Sequence, residues 1–383
     1  MPNSPPFYIR RSKTASRANQ AAVSSPFQSL SVKPSAPPRQ TPSAAPTATR
    51  DPCAIAAASK LRARPSLAPC PIGDLWQLRA APAPAIDCAA HGLHRRVHPA
   101  TIVDAMLLST EADILALRLL ELDGVVDTFV IVESREAISG RQRPVLWDTH
   151  EACFQRWSRR IVHRTVREVK VGDIWNRESI LRNYLSVLGA EAVADACQPH
   201  VLQPSHDDVL FAVSDVDEVP RAETYAVMKQ CEGFEWPVAP VQDRFLYYSF
   251  NWRKRMNWTF GPGVIPWSQV DAFLPQSTRA IPARSSEAAF QRGGWHMSYF
   301  MTVADILSKL SYYAHAEMNR APFNEPQWVE ECLRTGRDLF GRTGGEELEF
   351  NNCSSPDADI PQAVQLNREF FAHFCPLDAR GPG

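Results

Sequence analysis

DDVLFAVSDVDEVP, Asp207 to Pro220, is the stretch on which the fold turns. Val209–Val213 is an unbroken apolar run, as expected of a strand covered on both faces in a parallel sheet. It gives way at once to Asp215, Asp217 and Glu218, and stops at Pro220. In open α/β sheets, ligands bind beyond the carboxyl ends of the strands. Asp215 and Asp217 are two apart, so in extended geometry both side chains point to one side. Carboxylates that close repel one another, and each is costly to leave unpaired. A divalent cation removes the conflict. Hard oxygen ligands suit Mg²⁺ or Mn²⁺, ions that bridge to a substrate's phosphates. The stretch therefore predicts a metal–diphosphate site with Asp215, Asp217 and Glu218 as ligands. The plainer alternative is a charged turn that caps the next helix, with Asp217 or Glu218 exposed.

Outward from this strand, helical and extended patterns alternate. Thr110–Leu122 reads as a helix, capped by Thr110, with Glu111 and Asp113 in its first turn. Its Leu and Ile positions run almost all the way round, which predicts burial, and Glu111 and Arg118 share one side. Phe129–Glu133 (FVIVE) is a second continuous apolar strand, and Phe245–Phe250 (FLYYSF) an aromatic third. Asn176–Leu188, Ala304–Tyr313 and Glu325–Thr335 read as helices, and a short one is expected near Ala363–Phe374. Strands alternating with helices predict an α/β sheet.

Composition sets the outer limits. The 383 residues are 44% hydrophobic and 22% charged, with a net charge of −1. The first hundred residues carry 13 Lys/Arg against 3 Asp/Glu, so the head is basic and the body acidic. An acidic body excludes duplex-DNA binding as the main role, because that affinity rests on phosphate neutralisation. No apolar run approaches the roughly 18 residues that span a bilayer. Residues 1–86 are rich in Pro, Ala, Ser and Arg and too poor in apolar residues to offset chain entropy, so they read as a disordered basic tail or an organelle transit segment. Residues 87–345 form the folded domain, and 346–383 a polar C-terminal extension. The nine cysteines show no CxxC pair and no Cys/His cluster, against a structural zinc site; their odd number leaves a thiol over unless chains are cross-linked. Two N-x-S/T sequons, at Asn257 and Asn352, matter only in a secretory context.

A second constellation lies in QRGGWHMSYF, Gln291–Phe300. Gly293 and Gly294 permit close approach to a ligand. His296 offers an imidazole to a metal, and Trp295 and Tyr299 offer faces for a sugar or base; a packed Trp with a hydrogen-bonded His is the alternative. Downstream, KLSYYAHAEMN (Lys309–Asn319) sets Lys309, His315 and Glu317 near one another, with Lys309 able to neutralise a leaving phosphate.

Two enzyme classes place D-x-D after an apolar strand. Haloacid-dehalogenase-type phosphohydrolases would use Asp215 as nucleophile, and AVSDVDEV fits their string. That motif normally opens its domain, however, and here a long folded stretch including FVIVE precedes it. Nucleotide-sugar glycosyltransferases use D-x-D to hold a metal against the sugar diphosphate.

The ordered set decides between them. CAAHG (Cys88–Gly92), VDAMLLSTEADILALRLLEL (Val103–Leu122), VVDTFVIVES (Val125–Ser134), SGRQRP (Ser139–Pro144), DDVLFAVSDVDEVPR, YYSFNW (Tyr247–Trp252), GGWHMSYF, KLSYYAHAE and GRDLFGR (Gly336–Arg342) together resemble glycosyltransferase family 17. The resemblance implies a GT-A-like nucleotide-sugar-binding sheet and an inverting N-acetylglucosaminyltransferase. It would use UDP-GlcNAc with Mn²⁺ (or Mg²⁺) on a β-mannose-type glycan acceptor, possibly an N-glycan core. Carried over by position, Asp215 and Asp217 match the D-x-D and Glu218 the acid that follows, with His296 as a further metal ligand. Glu133, Arg118, Asp215, Trp295 and His315 fall to the donor. For the general base, Glu317 comes first, then Glu223 or Asp243, and Lys309 would assist the leaving diphosphate. The resemblance also implies the Golgi or secretory pathway, although the animal members' N-terminal anchor has no counterpart here. A non-catalytic nucleotide- or glycan-binding relative is the remaining alternative.

Overall fold

The computed structural model describes residues 70–167, 174–196, 208–240, 244–255, 261–278, 289–290, 292–312, 316–343 and 348–376. In chain order its main elements are β1 (Thr101–Leu107), α1 (Ala112–Glu121), β2 (Thr128–Ser134), β3 (Ile161–Val166), α2 (Ile174–Ala196), β4 (Val209–Asp215), β5 (Glu218–Pro220), α3 (Ala222–Gln230), β6 (Arg244–Tyr247), β7 (Ser249–Lys254), β8 (Gly263–Pro266), β9 (Gly294–Ser298), α4 (Val303–Tyr312), α5 (Pro326–Thr335) and β10 (Leu348–Phe350).

The unbroken apolar runs become the middle of the first sheet, whose order is β8-β4-β1-β2-β3. Strands β1 to β4 run parallel, and β8 lies antiparallel on β4. Successive side chains point to opposite faces. Val103, Ala105, Val130, Val132, Phe211 and Val213 meet Leu185 and Leu188 of α2 on one face. Ile102, Met106, Phe129, Ile131, Leu210 and Ala212 belong to the cluster that includes Leu115 and Leu119 of α1 and Tyr225 of α3 on the other. Burial on both faces explains why these strands lack polar alternation. Each of the Val, Leu, Ile, Met and Phe side chains contributes about 1.5–3 kcal/mol by leaving water. In chain order the sheet reads 3-2-1-4-5, so the order reverses between β1 and β4, where Leu107 stands opposite Asp215. Such a reversal opens a crevice at the carboxyl ends of the strands.

A second sheet has the order β10-β7-β6-β9-β5. Two residues, Val216 and Asp217, separate the end of β4 from the short edge strand β5 of this sheet, so the acidic turn is the junction between the sheets. Strand β9 pairs antiparallel with β5, placing His296 opposite Glu218, and parallel with β6, placing it opposite Phe245. A Cβ added at Gly294 would lie 2.4 Å from the carbonyl oxygen of Val219, so this β5–β9 approach requires glycine.

Several expectations need correction. FLYYSF is two strands: the chain folds back at Tyr248, whose φ is 65° and whose N–H donates to Ser298 O. Thr110 does not cap α1. The Glu111 carboxylate accepts the Ser109 and Thr110 N–H groups instead. The short helix expected near Ala363–Phe374 is present but ends at Leu366, spanning Gln362–Leu366, and a separate 3₁₀ turn, Ala372–Phe374, follows. Packing begins before residue 87: Leu75 is buried, and Arg156 donates to Leu78 O. The segment read as a polar extension lies on the body, with β10 extending the second sheet and Ala363, Val364, Phe371 and Phe374 buried. Of the three disulfides, a pairing the sequence leaves open, Cys70–Cys153 ties the segment before residue 87 to the body, Cys88–Cys231 closes within the body and Cys353–Cys375 within the C-terminal segment. Among the described residues Cys332 is a free, buried thiol, and no helix is long and apolar enough to cross a membrane.

Candidate active site

The acidic turn is held from beneath by one buried arginine. Arg118 on α1 is fully buried and bidentate to Asp104 of β1, at 2.8 and 2.6 Å. Its remaining N–H groups donate to the carbonyls of Asp215 at 3.0 Å and Glu218 at 2.8 Å, and to Ser214 Oγ at 2.6 Å. Glu218, also fully buried, accepts the Asp215 N–H at 2.9 Å. Met297 N donates to Asp217 O at 2.8 Å, tying the turn to β9. So Arg118 and Glu218, read from sequence as donor and metal ligands, shape the turn from inside and do not line the cleft above it. Arg118 is there because α1 is buried around nearly its whole circumference, and Glu218 because it opens the buried strand β5.

The cleft has a volume of about 540 Å³ and lies between the two sheets. Asp215, Asp217, Glu133, His296 and Lys309 line it, as do Glu111, Glu178, Arg143, Arg182, Lys254 and Arg342. Asp217 is only 9% exposed. Burial pushes its carboxyl up to about 7; Lys309 opposes that rise, while Glu111, Asp215 and Glu218 add to it. The Lys309 Nζ lies 2.8 Å from Glu111 Oε1 and 3.7 Å from Asp217 Oδ2. His296 Nε2 lies 3.9 Å from the same Asp217 oxygen, its ring stacked on Phe245. Asp215 faces the other wall, where Arg182 of α2 binds it at 3.0 Å and also holds Glu178 and Gln276.

Glu133 lines the cleft with a fully committed carboxylate. Its oxygens accept Leu146 N and Trp147 N, and His163 Nε2 lies 3.2 Å away. It thereby seats the helical turn Trp147–His150 against β2. Arg143 sits 4.0 Å from Glu133 and donates to the carbonyls of Leu108 and Ser109.

Other sequence-derived residues fall elsewhere. Trp295 is 1% exposed, with Arg221 over its ring at 4.1 Å and its indole N–H on Asp359 O, so its face is core and not a ligand platform. Glu223 on α3 and the exposed Glu317 do not line the cleft. Asp243 and His315 lie outside the described residues. Sequence reading passed over Glu111, Arg143, Arg182, Lys254 and Arg342. Glu111, Arg143 and Arg342 carried a signal, in VDAMLLSTEADILALRLLEL, SGRQRP and GRDLFGR; Arg182 looks like any helix arginine paired with an acid four residues earlier.

Behind the site stands a second anchor. Asp359 accepts Arg221 at 2.6 and 2.7 Å, Arg244 at 3.0 Å and Arg292 at 3.3 Å. These arginines adjoin β5, β6 and β9, so one carboxylate ties three strands of the second sheet. Burial works against its charge, but the arginines, Arg221 foremost, hold it below the usual carboxylate range.

Among the described residues, no three or more His, Cys, Asp or Glu side chains form a metal cage. An ion that keeps waters and substrate phosphates needs fewer protein ligands. Two donors on one ion at about 2.1 Å each stand at most about 4.2 Å apart. Asp217 Oδ2 and His296 Nε2, 3.9 Å apart, fall inside that limit but beyond the roughly 3 Å between adjacent ligands of an octahedral shell, and Ser298 Oγ lies 3.2 Å from the same imidazole nitrogen, so an ion would draw the pair together. The desolvated, acid-crowded Asp217 is also a group that an added cation relieves. The residues present therefore fit a divalent ion held by this pair.

The family model described as Glycosyltransferase family 17 matches residues 79–367. Proteins named Beta-1,4-mannosyl-glycoprotein 4-beta-N-acetylglucosaminyltransferase from Rattus norvegicus and Mus musculus are each 27% identical over 268 residues, covering 62% of this chain and 48% of theirs. The one from Homo sapiens is 27% identical over 161 residues, 41% of this chain and 28% of its own. The chain thus spans about half the length of the curated relatives it matches, or less. No solved structure matches significantly.

Proposed function

The chain belongs to glycosyltransferase family 17, and from that membership we propose that it is an inverting N-acetylglucosaminyltransferase. In this reading it moves GlcNAc from UDP-GlcNAc to a β-mannose-type glycan acceptor, with the first sheet serving as a GT-A-like nucleotide-sugar platform. The observation that carries the reading is the Asp215–Val216–Asp217 turn at the β1/β4 reversal, opening into a cleft large enough for a sugar nucleotide. The same placement, on the fourth strand of its sheet, disfavours a phosphohydrolase nucleophile at Asp215.

Asp217 and His296 would hold Mn²⁺ or Mg²⁺, which when bound supplies positive charge against the departing diphosphate. Lys309 and Arg182, on opposite sides of the turn, present further cations to the same phosphates. Inversion requires a carboxylate to take the acceptor hydroxyl's proton. Since Glu317 and Glu223 do not line the cleft, this duty moves to Glu178, which lines it and shares Arg182 with Asp215. With Arg182 keeping Asp215 as partner, Glu178 can exchange its bond for the acceptor hydroxyl. The disulfides fit folding in an oxidising compartment, consistent with a secretory location.

The test is calorimetric titration with UDP-GlcNAc, UDP-Gal and GDP-mannose, each with and without Mn²⁺, then transfer to a β-mannoside. Metal-dependent binding of UDP-GlcNAc and product formation are expected, both lost in Asp217→Asn. A folded sample that binds no sugar nucleotide under either condition removes the reading.

A further inference from the structure

Lys309 stands between two carboxylates from different parts of the fold. Glu111 opens α1 beside the first sheet, Asp217 sits in the intersheet turn, and Lys309 arrives on α4 from the other side. The Glu111 end is rigid: its side chain is 4% exposed, one oxygen accepts the Ser109 and Thr110 N–H groups, and the other receives the Lys309 ammonium at 2.8 Å. The Asp217 contact is longer, 3.7 Å. The ammonium is thus anchored on Glu111 and leans on Asp217, with the Tyr299 ring 5.3 Å from Nζ. Without it, Asp217 would face Glu111, Asp215 and Glu218 in a desolvated site.

We propose that Lys309 is the resident counter-cation of the acidic turn, a positioning residue that holds Asp217 until a divalent ion takes that carboxylate and that competes with the ion for it. The inference rests on the metal–diphosphate reading above. Its physical content is a pair of opposite signs. Toward an ion alone, a fixed ammonium beside Asp217 is repulsive and occupies the ligand. Toward a diphosphate, the same ammonium, still anchored by Glu111 at the cleft wall, is attractive. A lysine that merely braces the wall produces neither effect.

The experiment titrates Mn²⁺ alone into the full chain and follows the free ion by electron paramagnetic resonance, for wild type, Lys309→Met and Lys309→Arg. UDP binding at saturating Mn²⁺ is then measured by calorimetry. Lys309→Met is expected to bind Mn²⁺ about tenfold tighter and UDP about tenfold more weakly, the modest end of what one unit charge at about 4 Å produces. Lys309→Arg, which keeps the charge, stays within about twofold of wild type for the ion. If Lys309→Met does not fold, Lys309→Gln replaces it, since its amide still donates to Glu111. Ion binding by the neutral variant no tighter than wild type overturns the inference alone. A wild type that binds neither Mn²⁺ nor UDP overturns the proposed function, and this inference with it.

Discussion

Arg118→Met is the most searching perturbation of the scaffold beneath the site. Methionine matches much of the arginine stem but removes the guanidinium. The Asp104 carboxylate then lies fully buried with only the Tyr225 hydroxyl, 3.1 Å away, as a side-chain partner. The Glu218 carbonyl and the Ser214 hydroxyl also lose donors. Breaking a buried ion pair from one side costs about 3–5 kcal/mol, most of it from the stranded charge. For a chain of this size, each kcal/mol lowers Tm by about 2–4 °C, so a fall of roughly 6–20 °C is expected. Urea denaturation followed by tryptophan fluorescence measures the free energy, and UDP titration with Mn²⁺ reads the turn. Adding Asp104→Leu removes the stranded charge, so the double variant should recover more than half the stability while UDP binding stays impaired. The separation of the two readouts is the point: the pair's charge balance governs stability, whereas the carbonyls it gathers govern the turn. A single variant within about 1 kcal/mol of wild type would refute the reasoning.

Other expectations follow from the same geometry. Glu121 is buried and its carboxyl is pushed up to about 7, chiefly by burial, although the Ala363 N–H it accepts opposes the rise. Its folded value exceeds the unfolded one, so the native state binds the extra proton and stability falls as pH rises from about 4.5 to 7. Thermal melts should therefore show Glu121→Gln more stable than wild type at pH 8, with the difference vanishing near pH 5; a pH-independent difference would contradict the burial argument. Glu178→Gln should lower kcat by about a hundredfold, whereas Glu317→Gln should leave it within about twofold; the reverse ranking would return the base to Glu317. Asp359→Asn should lower kcat by about tenfold or more by loosening the strands that carry Phe245 and His296, and unchanged turnover would show that the clamp does not position the site.

The strands were legible because burial on both faces leaves a local mark: VLFAV and FVIVE admit little else. The acidic turn was legible for a related reason, since carboxylates directly after such a strand have few places to go. FLYYSF misled because an aromatic run does not announce a reversal; Tyr248 adopts its positive φ through a bond to Ser298, fifty residues on. Trp295 misled because a Gly-Gly-Trp-His string looks the same whether the glycines admit a ligand or a neighbouring strand. Here they admit β5. The contributions of Arg182 and Asp359 were invisible in principle. Each acts through partners far along the chain, and nothing in their neighbours distinguishes them from ordinary surface charges.

The clamp at Asp359 also sets a sequence of events for the nascent chain. Arg221, beside the acidic turn, must wait for a partner 138 residues later. During synthesis the D-x-D strand and its covering helices emerge first, with Arg118 and Arg182 already supplied with partners and Arg221 not. The strands bearing Phe245 and His296 receive their common tether only when the segment around Asp359 leaves the ribosome. A polypeptide stopped short of that point would carry every motif that identifies the family yet lack the tie that aligns them. The second sheet's alignment would then be completed late, after every strand it joins to the acidic turn has already been made.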